Sequence, residues 1–261
     1  MLPTMPPKKA MTDESKQKWK AIMADYQLTV KTYSTMGALH TLAQHWVENE
    51  LIIERAANEE ADKNGPKWTP DYDDRDSMGE YFAERDLARD LHDKIMLPMH
   101  RYSCIVMLFT IVERELIRLV ENLEKGKWQK MSQEADMRKK PCMAKAGQFV
   151  QNFCGVKLSD CPQYTALCDL QKIRDCIIHC QGEVALSKDK QFLVKLWLGG
   201  ERRRGFAAHP NNDIFIYPEC IEQFLKEAWS FFVWVFEKLN WQIAAHWQGD
   251  KLEQTFKKLR K

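Results

Sequence analysis

The chain has 261 residues, of which 44% are hydrophobic and 29% are charged, a composition that excludes an intrinsically disordered protein. Its 39 basic and 37 acidic side chains give a net charge of +2, which excludes a strong overall attraction to nucleic acid but permits local basic patches. Residues 1–14 contain prolines and lysines without an apolar run, so we expect a disordered tail and no secretory signal. No apolar run reaches the roughly 20 residues of a membrane span, and we therefore expect a soluble, cytoplasmic protein without a membrane partner.

The first part of the chain is predicted to form two long helices. Apolar residues at helical spacing indicate one helix over about residues 15–60 and another over about residues 84–125. Pro98 is expected to kink or divide the second helix, and Gly126 to end it. The polar residues 58–85 between the two helices are predicted to form a loop.

The second part is predicted to contain further helices and one β-hairpin. A short helix is expected over residues 144–153, and a longer one is expected to begin at the capping segment 159–162 and to end at Cys180. Alternating apolar residues then predict a hairpin, carried by Phe192, Val194, Leu196, Leu198, Phe215 and Tyr217. A last helix is expected from Pro218 onward. The predicted architecture is thus one all-α bundle over residues 15–250 with a small β-hairpin, followed by a basic tail at residues 251–261.

Eight cysteines require an explanation, because no two of them form a C-x-x-C pair. Most lie within apolar helical patterns, which is typical of reduced, buried thiols. The alternative is a zinc site built from Cys176, His179 and Cys180, whose spacing does not match that of a structural zinc site. We predict no metal site and no cofactor.

The most informative segment is residues 174–179. On a helical wheel, Asp175 and His179 lie on one face, opposite the predicted core stripe, and Arg174 lies at the edge of that stripe. A carboxylate one turn before a histidine can orient the imidazole ring, and an arginine offers a forked donor for phosphate. These are the groups required for phosphodiester cleavage without a metal, although the same pattern also occurs on ordinary solvated helix faces.

The stretch 170–182 resembles the signature of the HEPN superfamily, in which an arginine and a polar residue precede a histidine with four to six residues between arginine and histidine. The apolar run and glutamate at residues 109–116 and the extended stretch and helix start at residues 214–219 resemble the family context. The resemblance covers about residues 95–240. It implies catalytic roles for Arg174, Asp175 and His179.

Proteins of this superfamily are metal-independent endoribonucleases, often toxins or antiviral effectors, that dimerise so that two motifs face one cleft. The resemblance therefore implies RNA as substrate, a homodimer, and an antitoxin or another regulatory partner protein. Some toxin members carry a modifiable tyrosine two residues after the histidine, and Gln181 stands there in this chain. The alternative is a non-catalytic HEPN module that dimerises and binds a nucleotide or a partner protein.

Basic and aromatic clusters leave further alternatives open. Lys172 and the glycine-flanked Arg202, Arg203 and Arg204 are predicted RNA contacts, although a solvated hairpin tip has the same composition. The basic tail is typical of a soluble chain end. The aromatic run between Trp229 and Trp241 suits a base-stacking platform, but its helical spacing favours core and subunit interface.

Overall fold

The computed structural model describes residues 13–198, 205–208, 212–241 and 251–257, with side chains from residue 34 onward except that of Lys251. In these ranges the chain is mostly helical with one small antiparallel sheet, which confirms the predicted fold class of an all-α architecture with a β-hairpin. The elements are α1 (Asp13–Asn64), α2 (Arg75–Leu91), α3 (Leu97–Ser132), α4 (Ala135–Arg138), α5 (Cys142–Cys154), α6 (Tyr164–Cys180), α7 (Lys190–Leu198), β1 (Phe206–Ala208), β2 (Ile214–Ile216), α8 (Pro218–Lys238) and α9 (Lys251–Phe256).

Helix α3 lies at the centre of the bundle, where it contacts α1, α5, α6 and α8. Its apolar residues recur every three or four positions, so one face of the helix enters the core. The fully buried apolar residues of this stripe are Ile105, Leu108, Phe109, Val112, Leu116 and Val120. The helical stripe predicted from sequence is therefore confirmed.

The second long helix is divided close to Pro98, as predicted, although the proline itself lies in the first turn of α3. The irregularity lies one turn earlier, in a π-helical segment at His92–Met96 that joins α2 to α3. There the backbone N–H of Leu97 donates to the carbonyl of His92, five residues before it. Since proline lacks an N–H and is tolerated in the first turn of a helix, Pro98 fits directly after this segment.

The predicted loop over residues 58–85 is wrong for most of its length. Helix α1 continues to Asn64 because Ala57 and Ala61 extend its buried face. Helix α2 begins directly after Asp74, whose side chain accepts a hydrogen bond from the backbone N–H of Asp76. Only residues 65–74 connect the two helices.

The second long helix breaks close to its predicted end at Gly126, and a further helical stretch follows the break. The backbone leaves helical geometry at Glu124 but resumes it, and α3 ends at Ser132. Beyond the break, Trp128 is buried and packs edge-to-face on Phe149 of α5 at a centroid distance of 5.6 Å. This tertiary contact stabilises the extra turns against the low helix propensity of glycine.

The predicted hairpin is confirmed in its second half only. Residues 190–198 form α7 rather than a strand, because the buried side chains are Leu193 and Leu196, three residues apart. The sheet consists of β1 and β2, which pair antiparallel with Ala207 opposite Phe215. The predicted arginine-containing loop, residues 199–204, lies outside the described residues.

The last long helix begins at Pro218, as predicted, and buries most of its aromatic residues in the core. The chain after it is more than a basic tail, because residues 251–256 form α9. Phe256 is fully buried and packs edge-to-face on Trp46 of α1 at 5.7 Å. The neighbouring lysines predict a solvated chain end, whereas the ring of Phe256 docks α9 on α1.

Within residues 75–132, counted as one helix through the π-helical segment, the chain is long and apolar enough to cross a membrane by length and composition. One third of the most apolar 18-residue window is buried inside the fold, and core helices of soluble proteins meet the same criterion.

Replacing Phe256 tests the docking of α9. Phe256→Ala removes a fully buried ring, so we expect the free energy of unfolding to fall by about 3–5 kcal/mol. Urea denaturation measures this change. The exposed neighbour Lys257 provides the control, since Lys257→Ala is expected to change the value by at most about 0.5 kcal/mol. A Phe256→Ala variant as stable as wild type would show that α9 does not pack on α1.

Candidate functional site

Helix α6 carries the predicted motif and packs against α3 in the antiparallel direction. Its apolar residues Leu167, Leu170 and Ile173 are fully buried, as the sequence predicted. The helix begins at Tyr164, a few residues later than expected, because the predicted capping segment forms a 3₁₀ turn at Leu158–Asp160 instead. The motif therefore lies in the second half of the helix.

The end of α6 is held in one conformation. Gln181 adopts a left-handed backbone with φ of 54°, and Gly182 follows with φ of 90°. The N–H of Gly182 donates to the carbonyl of Cys176 at 3.2 Å, which closes the helix. A side chain at position 182 would collide with the ring of Tyr102 on α3, so only glycine fits there.

The structure brings Arg174 and Asp175 together as an ion pair. The Arg174 Nη1 donates to the Asp175 Oδ1 at 2.7 Å, and the Arg174 Nη2 donates to the Glu113 Oε2 on α3, also at 2.7 Å. The guanidinium lies 4.9 Å from the ring centroid of Phe109, and the arginine side chain is only 19% exposed. The Arg174 Nε is buried and has no partner among the described residues.

Glu113 is a site residue that the sequence reasoning used only as family context. Burial raises the pKa of its carboxyl group; Arg174 opposes this shift, Asp175 adds to it, and the net shift is upward. Two carboxylates thus flank one guanidinium, and the cluster carries a net negative charge when all three groups are ionised. The feature of the sequence that points to Glu113 is its position four residues after Phe109, which places both residues on the face of α3 that meets α6.

His179 lies apart from this cluster. Its side chain is exposed, and no hydrogen bond or ion pair joins it to another group within the described part of the chain. The carboxylate of Asp175, which the sequence predicted to orient the imidazole ring, is paired with Arg174 instead. The neighbouring Ile178 is 46% exposed, so the end of the motif presents an imidazole beside an apolar side chain.

The predicted RNA contacts are only partly described. Lys172 is half-buried, and its ammonium group lies 3.4 Å from the ring centroid of Phe192 on α7. This cation–π contact holds the lysine on the protein surface near the motif. Arg202, Arg203 and Arg204 lie outside the described residues.

All eight cysteines are free thiols. Cys176 faces the core, and burial raises the pKa of its thiol to about 11. In the described ranges no group of three or more histidine, cysteine or acidic residues is placed to hold a metal ion. Cys176 therefore serves as a packing residue, and the alternative zinc site with His179 and Cys180 is not supported.

Comparison of the chain with protein-family models, with curated proteins and with solved structures finds no match. The resemblance to the HEPN superfamily therefore depends on the motif at residues 170–182 and its context alone.

The ion pair makes a testable contribution to stability. Arg174→Ala leaves the mostly buried carboxylates of Glu113 and Asp175 without their donor, so we expect the free energy of unfolding to fall by about 1–3 kcal/mol. Chemical denaturation measures the loss. His179→Ala is the control, because an exposed side chain without partners is expected to contribute at most about 0.5 kcal/mol. Equal stability of the two variants would contradict a structural role for the arginine.

The raised pKa of Glu113 predicts that the stability of the fold depends on pH. Its folded-state pKa is raised, so its contribution to stability is present below its unfolded pKa and is lost as the pH rises through the folded value. Glu113→Gln removes this titration while it keeps the shape of the side chain. We therefore expect the free energy of unfolding of Glu113→Gln, relative to wild type, to increase between about pH 4 and about pH 7. A relative stability that falls over this interval would mean that the ion pair with Arg174 outweighs burial.

Proposed function

We propose that the protein is a metal-independent endoribonuclease of the HEPN type, with a role as a toxin or in antiviral defence. The observation that carries the proposal is the exposed His179, free of side-chain partners in the described part of the chain, one helical turn after the anchored Arg174–Asp175 pair. An imidazole in this position is suited to exchange a proton with a substrate, because one ring nitrogen can accept a proton and the other can donate one.

The proposed reaction is attack of a ribose 2′-hydroxyl on the adjacent phosphorus. The 2′-oxygen forms a bond to phosphorus, the bond to the 5′-oxygen breaks, and the products are a 2′,3′-cyclic phosphate and a 5′-hydroxyl. One proton leaves the 2′-hydroxyl and one joins the 5′-oxygen, which requires a base and an acid. In the proposed homodimer, His179 of one copy acts as the base and His179 of the other copy acts as the acid. Dimerisation would therefore supply both groups that the reaction requires.

The charged residues have separate roles in this proposal. Arg174 stabilises the developing charge on phosphate with the donors that its ion pairs leave unused. Asp175 and Glu113 position the guanidinium rather than act on RNA. Lys172 and the arginines at residues 202–204 contact the RNA backbone. An antitoxin or another protein partner and a cytoplasmic location belong to the same proposal.

One observation favours a second candidate function, a non-catalytic HEPN module that binds a nucleotide or a partner protein. Arg174 is mostly buried and already neutralised by Glu113 and Asp175. A phosphate would have to approach a cluster whose net charge is negative, which weakens electrostatic attraction. In this second function the arginine holds α6 on α3 and has no chemical step to perform.

Replacing His179 separates the two functions. If His179 transfers the proton, His179→Ala lowers the rate of RNA cleavage by roughly 10²–10⁴. The assay follows labelled single-stranded RNA in EDTA, because the proposal requires no metal, and end-group analysis identifies the cyclic phosphate. The exposed His45 on α1 provides the matched control, since His45→Ala should cleave like wild type. Unchanged cleavage by His179→Ala would exclude His179 as the proton-transfer group, and absence of cleavage by wild type would leave the non-catalytic module as the better account.

A further inference from the structure

A cavity of about 410 Å³ lies between the start of α3 and the outer face of β2. It is separate from the Arg174 cluster and has no role in the reaction proposed above. Both charged and aromatic side chains line it, among them Lys94, Arg101, Tyr102, Asp213, Phe215 and Tyr217. The lysine belongs to the π-helical segment, a rare helix type that is found frequently at functional sites.

Two aromatic rings lie on the outer side of β2, one on the strand and one on the extended residue that follows it. Ile214 and Ile216 are buried, whereas Phe215 and Tyr217 are 50% and 47% exposed, so the two rings project from the same side of the strand. Residues two apart on a strand are about 6.8 Å apart. A planar base in van der Waals contact with a ring on each side needs about 7 Å, twice the optimal carbon–carbon separation. The backbone spacing of Phe215 and Tyr217, which both line the cavity, therefore leaves room for one planar ring system between their side chains.

The walls of the cavity are held in place by hydrogen bonds. The hydroxyl of Tyr102 donates to the carbonyl of Ile214 at 2.6 Å, which joins α3 to β2. Arg101 donates to the fully buried Glu50 and to the carbonyl of Ile216. These contacts within the fold fix the walls of the cavity, and a fixed wall reduces the entropy lost on binding.

The charges around the cavity restrict the class of ligand. Lys94 forms an ion pair with Asp90 and Arg101 forms one with Glu50, so the lining has no excess of positive charge. A free nucleoside triphosphate needs concentrated positive charge, which this lining does not provide. An uncharged base fits it, provided that the phosphates attached to that base are bound elsewhere on the protein.

The cavity is connected to the end of the motif helix. Tyr102, which forms one wall, packs against Gly182, and the carbonyl of Gly182 accepts a hydrogen bond from the N–H of Ile214 at 2.9 Å. Gly182 follows His179 by three residues, a stretch that spans at most about 10 Å. One RNA strand is therefore long enough to reach both His179 and the cavity.

We propose that this cavity binds one unpaired base of a single-stranded RNA, stacked between the rings of Phe215 and Tyr217. The proposal rests on the proposed ribonuclease function, which makes RNA the ligand, and it assigns single-stranded rather than duplex RNA as the substrate class. Recognition of RNA through splayed, stacked bases requires unpaired nucleotides, since a base in a duplex is already stacked on its neighbours.

Binding of a fluorescent single-stranded RNA to full-length His179→Ala, measured by anisotropy at fixed salt, tests the proposal. Phe215→Ala in this background should weaken binding by about 5- to 100-fold, the usual effect of removing one stacking ring. Phe215→Trp should retain binding because it keeps a stacking surface. The control is Phe153→Ala, which removes a 41%-exposed phenylalanine from α5, outside the cavity, and should leave binding unchanged. Tyr217→Ala provides a second variant, and circular dichroism verifies that each variant folds.

The outcomes distinguish this proposal from the ribonuclease proposal. Binding by Phe215→Ala and Tyr217→Ala equal to that of the parent would overturn the base site, even if wild type cleaves RNA. Absence of RNA binding by the parent would overturn it as well. If Phe215→Ala weakens binding but wild type does not cleave RNA, the base site stands and the ribonuclease proposal fails.

Discussion

The guanidinium of Arg174 ties the motif helix α6 to the central helix α3, and the candidate site depends on this contact. The arginine donates to Glu113 across the helix interface and to Asp175 on its own helix, with its side chain 19% exposed. Buried carboxylates are costly without a partner, so the three charges hold the two antiparallel helices in one register. The exposed position of His179 at the end of α6 follows from that register.

The same contact limits what the arginine can do chemically. Its donors to Glu113 and Asp175 are used within the fold, so a phosphate must compete with two carboxylates for the guanidinium. His179 has no such competitor among the described residues. The candidate site thus divides into an anchored charge cluster and an exposed proton-transfer group. The proposed ribonuclease uses both parts, whereas a binding module uses only the first.

Local patterns predicted a large part of the fold because helical periodicity and end signals depend on near neighbours in the chain. The helix α5, which ends at Gly155 in a left-handed conformation, and the helix that begins at Pro218 follow their signals closely. The prediction of a strand at residues 190–198 is wrong. The segment contains both an alternation of apolar residues, which favours a strand, and the three-residue spacing of Leu193 and Leu196, which favours the observed helix. The basic residues at the C-terminus likewise predicted a solvated tail, although Phe256 among them packs on α1.

For the candidate site, the sequence by itself determined that Arg174, Asp175 and His179 share one helix, with Arg174 at the core edge and Asp175 and His179 on the opposite face. That follows from the fixed rotation per residue of an α-helix. Only the tertiary structure decided that Asp175 pairs with Arg174 rather than with His179, and that Glu113, 61 residues away, completes the cluster. The physical reason is that a helical wheel orders side chains around one axis, whereas an ion pair forms with whichever charge the neighbouring helix brings within reach.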